Sequence, residues 1–164
     1  MDVIECIKTR RSIRELHCGE VNRKVIEQIV NCGRLAPTAK NIQPVEFVVV
    51  TDRNKLKKLA EIVAGNGPFI KDAVFCIVVF AKDTKYFLED GCAATENILL
   101  AVHSFGLSAC WVAGDKKNYA QTIAKELDAP PDYKLISIIP VGYSNEKSNI
   151  RKRKLEDVLH WEKF

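Results

Sequence analysis

The run Ala73–Ala81, AVFCIVVFA in one-letter code, carries no polar side chain over nine residues. Its length suits a strand and falls far short of the ~20 apolar residues that a membrane-spanning helix requires. A strand that is apolar on both faces must be covered on both, so it is expected at the centre of a sheet. A chain containing such a strand has to supply covering layers above and below it.

The remaining patterns supply them. Asp2–Thr9 reads as a short helix. Asn22–Leu35 reads as a second, with Val25, Ile26, Ile29 and Val30 at helical spacing and Asn22 placed to cap it. Val45–Thr51 is a β-branched strand, and Asp52 opens a third helix that Gly65, Asn66, Gly67 and Pro68 stop near Ala64. Phe87–Phe105 is the longest helical pattern. Its face of Ala93, Ala94, Asn97, Ile98, Ala101 and Val102 is small enough for another helix to approach closely. Leu107–Val112 reads as a short strand, Asn118–Leu127 as a helix stopped by Pro130 and Pro131, and Leu135–Val141 as a strand. Leu155–Trp161 closes the chain as a short helix or an extended arm. Alternating helices and strands suggest a three-layer α/β sandwich with a parallel sheet, although pattern alone does not fix strand direction.

With 164 residues and no linker or repeat, a single domain spanning residues 1–164 is expected. An apolar share of 47% beside 28% charged residues fits a globular chain, and no signal-peptide core is present, which implies a cytoplasmic protein. The six cysteines contain no Cys-x-x-Cys pair, so no metal centre is expected and the thiols read as reduced. Glycines 65 and 67 follow a helix and not a strand, which removes the usual glycine-loop context for a nucleotide.

Four polar clusters remain. Arg10, Arg11, Ser12 and Arg14 put three guanidinium groups and a hydroxyl in five residues, suited to phosphate oxygens or equally to a basic helix end. The loop from Pro37 to Pro44 presents Thr38, Asn41 and Gln43, whose donors and acceptors match the imide edge of a heterocycle or simply form a turn. Ala113 and Gly114 end a strand where backbone N–H groups can come close to a ligand, or merely turn the chain. Arg151, Lys152, Arg153 and Lys154 form a basic run. Such a run is a solvated face or a nucleic-acid patch, but no aromatic platform accompanies it and nucleic acid is not expected.

Taken in order, these motifs resemble the FMN-dependent nitroreductase family over nearly the whole chain. The motifs are Arg10-Arg11-Ser12-x-Arg14, Ala36-Pro37-Thr38-x-x-Asn41-x-Gln43-Pro44 and Asp90-Gly91-x-x-Ala94-x-x-Asn97. Gly106-Leu107-x-x-Cys110-Trp111, Pro131-x-Tyr133 and Pro140-Val141-Gly142-Tyr143 follow, and Arg151-Lys152-Arg153-x-Leu155-Glu156-Asp157-Val158 closes the series. The resemblance implies an α+β fold, a three-layer αβα sandwich with a mainly antiparallel mixed sheet, replacing the parallel expectation. It implies a homodimer with FMN at the subunit interface and the alanine-rich helix around Ala94–Val102 buried between subunits. It places Arg10, Ser12 and Arg153 on the phosphate and ribityl chain, with Arg11 and Arg151 nearby, and Arg14 beside the N1–C2=O edge of the ring. Thr38, Asn41 and Gln43 would be lent by the partner chain, and Ala113 and Gly114 would face the ring near N5. No side chain would be catalytic, because the chemistry would occur on FMN with Arg14 tuning it.

The implied activity is an oxidoreductase that takes hydride from NADH or NADPH and reduces nitroaromatic, quinone or related acceptors by a ping-pong route. The alternative is a flavin-binding protein of the same fold engaged in flavin handling or reductive dehalogenation. The chain departs from longer members of the family between Lys82 and Glu89, where they insert helices over the substrate pocket. Tyr86 and Phe87 are expected there either as a reduced lid or as ordinary packing aromatics.

Overall fold

A computed structural model describes residues 1–148 and 150–164. Its helices are α1 (Val3–Thr9), α2 (Arg23–Arg34), α3 (Arg53–Val63), α4 (Phe87–Ser104) and α5 (Ala120–Glu126). Its strands are β1 (Val45–Val50), β2 (Phe75–Lys82), β3 (Ser108–Ala109), β4 (Val112–Ala113) and β5 (Tyr133–Gly142). The helix starts follow local chemistry. The Asn22 side chain accepts from the Lys24 N–H at 2.9 Å, and Asp52 accepts from the Lys55 N–H at 2.8 Å.

The strand order is β1-β2-β5-β3, with β4 also on β5, and every named strand pair is antiparallel. A lone parallel bridge joins Ser12 to Ala109. The parallel sheet suggested by element alternation is therefore corrected, and the antiparallel arrangement implied by the family resemblance is the one observed. Alternation along β2 divides the core. Phe75, Ile77 and Val79 pack with Ile29, Ile98 and Val102 under α2 and α4. Cys76, Val78 and Phe80 pack with Leu56, Leu59 and Ile123 under α3 and α5. The apolar run is thus covered on both faces, giving three layers.

Two details differ from expectation. The strand expected over Leu107–Val112 is two short strands, interrupted at Cys110 and Trp111. The cause lies across the sheet at Pro140. The Val141 carbonyl accepts from the Val74 N–H on the β2 side at 2.7 Å, so by alternation Pro140 faces the opposite side. Proline has no N–H to offer there, and the neighbouring strand breaks opposite it. The small face of α4 is covered in part within its own chain: Ala94 is 1% and Ala101 7% exposed, while Ala93 and Asn97 are half-buried. Helix α2 comes so close that a Cβ on Gly33 would lie 2.8 Å from Ile98 Cγ1. Packing inside one chain accounts for Ala94, while Asn97 and Ala101 of the same face line an open groove. One patch of uncovered apolar surface lies at Val3, Ile4, Ile7 and Leu35, beside this groove of about 390 Å³ between α1, α2 and α4.

Candidate functional site

Residues 10–14 leave the end of α1 as an extended segment stitched to β3. The Ile13 N–H donates to the Ala109 carbonyl at 3.0 Å, and the Ile13 side chain is buried as an anchor. The arginines around it have separate tasks. Arg11 Nη1 donates to the carbonyls of Lys8 and Arg10, both at 2.8 Å, so it caps α1; for this residue the helix-end reading holds. Arg10 points along α4, its Nε 3.5 Å from Glu96 Oε1. Among the described residues no hydrogen bond or ion pair engages the Arg14 guanidinium.

Beside this segment, Thr9 Oγ1 lies 2.8 Å from His103 Nε2 and donates to the Glu5 carbonyl at 2.7 Å. Its single proton being used, Thr9 accepts from His103, which places a proton on Nε2. Burial, then the Arg10 and Arg11 charges, hold the His103 pKa below its ordinary value. Under the segment sits Cys110. Burial pushes its thiol up, against the pull of Arg14, a hydrogen bond from Ser12, and Arg10. The thiol form prevails at neutral pH, which argues against a nucleophilic role.

The Thr38–Gln43 loop lies elsewhere. Lys40, Asn41 and Gln43 have φ of 54°, 55° and 54°, a left-handed backbone that costs L-residues roughly 1–2 kcal/mol each. The surroundings hold the loop in that shape: Thr38 Oγ1 accepts from the Gln43 N–H at 3.0 Å, and the Thr38 carbonyl accepts from the Asn41 N–H at 3.0 Å. From α4, Asp90 Oδ1 accepts from the Ala39 N–H at 2.9 Å. Asp90 is 5% exposed, and its Oδ2 is buried with no hydrogen-bond partner. Strain of this kind persists only where neighbours over-determine it, and it concentrates at ligand-contacting loops. The loop sits at the first turn of α4 and the arginine segment at the last. Thirteen residues of helix separate Asp90 from His103, which is about 20 Å.

Ala113 and Gly114 lie on and just after β4. A Cβ on Gly114 would meet the Ile136 carbonyl carbon and oxygen, both at 2.7 Å, so the residue is small because β5 crosses behind it. The Ala113 carbonyl accepts from the Tyr119 hydroxyl at 2.5 Å, and the Ala113 side chain is exposed. Arg151 and Arg153 lie on the exposed C-terminal arm. Arg153 Nη2 donates to the Asp157 carbonyl, and no described contact joins either arginine to Arg10. One chain thus gathers Arg10, Arg11, Ser12 and Arg14. It leaves Thr38, Asn41 and Gln43, and separately Arg151 and Arg153, apart from them.

At the Lys82–Glu89 connection, Lys82 pairs with Asp132 and Lys134 with Asp83, each at 3.4 Å. Phe87 packs against the core, and Tyr86 lies outside it under the Lys85 ammonium. Phe87 is a packing aromatic. Three residues without an assigned role in the sequence prove central to the geometry: Asp90, Glu96 and Glu146. Glu146 Oε2 accepts from the Arg14 and Glu15 N–H groups, both at 3.0 Å. Only Asp90 left a trace in the sequence, as the first residue of the Asp90-Gly91-x-x-Ala94-x-x-Asn97 motif.

The sequence matches the nitroreductase family over residues 7–76 and 63–143. A protein of Methanothermobacter thermautotrophicus, described as a candidate NADH dehydrogenase/NAD(P)H nitroreductase, is 35% identical over 170 residues, covering 100% of this chain and 88% of its own length. The solved structure of an FMN-dependent nitroreductase from Clostridium difficile superposes with a TM-score of 0.91 at 32% identity, covering 98% of this chain and 99% of that one. An iodotyrosine deiodinase from Haliscomenobacter hydrossis is 28% identical over 173 residues, covering 84% of this chain and 77% of the relative.

Proposed function

The chain belongs to the nitroreductase family, and from that premise we propose that it is an FMN-dependent oxidoreductase drawing hydride from NAD(P)H and reducing nitroaromatic, quinone or related acceptors by a ping-pong route. The observation that carries the reading is the Arg10–Arg14 segment. It is a fixed extended segment in which, among the described residues, one guanidinium has no internal partner and another is held only by a half-exposed carboxylate. Such a donor set fits a phosphate and an anionic ring edge.

Arg10 and Ser12 would hold the phosphate end, joined by Arg151 and Arg153 from the arm. Arg14 would stand at the N1–C2=O edge, with Ala113 and Gly114 along the ring. The redox chemistry is the cofactor's, and the chain binds, orients and electrostatically biases it. A fixed cation about 4 Å from that edge interacts by about 4 kcal/mol at an effective dielectric of 20. If roughly 3 kcal/mol of this favours the reduced form, the two-electron potential rises by about 65 mV.

A homodimer is supported by the surface. Leu155 and Trp161 on the arm are 70% and 75% exposed, and the α1–α2 patch is also uncovered; a second copy is the partner whose chemistry matches both. It would also bring a Thr38–Gln43 loop to an arginine segment from the other chain. No helix among the described residues is long and apolar enough to cross a membrane.

Reductive dehalogenation is the second reading, favoured by the deiodinase relative. The absorbance spectrum of purified protein tests the cofactor, with the two visible and near-ultraviolet bands of oxidised flavin expected. Rapid mixing with NADH and with NADPH separates the two activities. Bleaching within a turnover supports the first, and a flavin that neither nucleotide bleaches rules it out.

A further inference from the structure

We infer that Glu146 is the positioning residue for Arg14, fixing the guanidinium that biases the flavin site. The inference rests on the FMN reading above and extends it to a residue outside the expected contacts.

A single carboxylate oxygen, Glu146 Oε2, receives two consecutive backbone N–H groups, those of Arg14 and Glu15. Adjacent N–H groups converging on one anion form a nest, which locks the backbone on both sides of the first residue's side chain. The lock falls where it is needed. The extended segment is stitched to β3 through Ile13 and resumes pairing at His17, whose N–H donates to the Tyr143 carbonyl at 2.7 Å. Between these two anchors, Glu146 is the one partner of the residue 14 and 15 N–H groups among the described residues.

Glu146 is itself held. Its N–H donates to Ser144 Oγ at 2.9 Å, and the Tyr143 hydroxyl ties the same stretch to the Glu20 carbonyl at 2.9 Å. The ionised carboxylate is the form that accepts both bonds. The Glu15 N–H first, then the Arg14 N–H and the Arg14 charge, hold its pKa below the usual carboxylate range. The side chain is exposed, so its loss leaves the core untouched.

The carboxylate has two effects of opposite sign. As an anchor it keeps Arg14 near the ring edge and favours reduced flavin; as a negative charge it disfavours it. Glu146→Gln removes the charge and keeps an acceptor. Glu146→Ala removes both. If Arg14 drifts from about 4 to about 6 Å, a third of its Coulomb interaction is lost. The ratio of reduced to oxidised FMN affinity then falls about fivefold, equivalent to about 20 mV.

The test measures FMN dissociation constants in both redox states for wild type and both variants. In the flavin-free proteins it also follows the Arg14 and Glu15 amide resonances as pH is lowered. The expected result is a ratio about fivefold lower than wild type for Glu146→Ala and equal or higher for Glu146→Gln. The two amides should titrate together in wild type only. Variants with ratios within twofold of wild type, or displaced equally in one direction, overturn the positioning role while leaving the FMN reading intact. A wild-type protein that takes up no FMN defeats both.

Discussion

Replacing Gly114 by alanine tests what that glycine is for. The added methyl would sit 2.7 Å from the Ile136 carbonyl carbon and oxygen and 2.7 Å from Leu135 Cγ. Two of these three obstacles are backbone atoms of a central strand, which a rotamer change does not relieve. Overpacking costs about 1–3 kcal/mol, and the backbone obstacle puts this site near the upper end. For a chain of this size about 3 kcal/mol lowers Tm by roughly 6–12 °C. Gly65→Ala is the control, since a Cβ there meets nothing within 4 Å and the expected change lies within about 0.5 kcal/mol of zero or is slightly stabilising. Urea unfolding of both variants, stripped of flavin, provides the measurement. If Gly114 were small only to admit a ligand, the flavin-free variant would be as stable as wild type and would lose FMN affinity alone. That outcome would refute the packing argument.

Three further outcomes follow from the same geometry. Arg14→Ala should lower the two-electron potential of bound FMN by about 65 mV with little change in helicity, and an unchanged potential in a redox titration would remove Arg14 from the ring edge. Asp90→Ala should release the Ala39 N–H and let the three left-handed residues relax, so proteolysis within 38–43 should rise well above wild type while Asp90→Asn, which keeps an acceptor, stays close to it; equal cleavage of all three would show that the loop holds itself. His103 is depressed in the fold, so the unfolded chain binds its proton more readily. Stability from this group is full above its unfolded pKa, near 6.5, and is lost as pH falls below it. His103→Gln should flatten that part of the flavin-free stability profile, and an unchanged slope would assign the proton uptake elsewhere.

What the sequence revealed was mostly local. Asn22 and Asp52 cap helices two and three residues away, so the signal and its partner share one window. The Ala73–Ala81 run announced a strand covered on both faces because burial on each side leaves no polar residue in it. The strand break at Cys110 was invisible because its cause, Pro140, sits on another strand. Asp90 grips a backbone N–H 51 residues away, and Glu146 grips two at 132 and 131 residues. Nothing in the spacing of acids predicts such pairs. The arginine pentapeptide was legible as a cluster, but its division of labour, with Arg11 spent on a helix end, is set by contacts that exist only once the chain folds.

Helix α4 carries the strained loop at one end and the arginine segment at the other. In a dimer whose sites each combine one chain's loop with its partner's arginines, a chain damaged at Arg14 still lends a sound loop, and a chain damaged at the loop still lends a sound Arg14. Mixing the two defective proteins and allowing subunits to exchange would rebuild one complete site in each mixed pair, opposite one that carries both faults. Wild-type sites would then re-form from two defective preparations, with a ceiling of a quarter of the wild-type number per chain at random assortment.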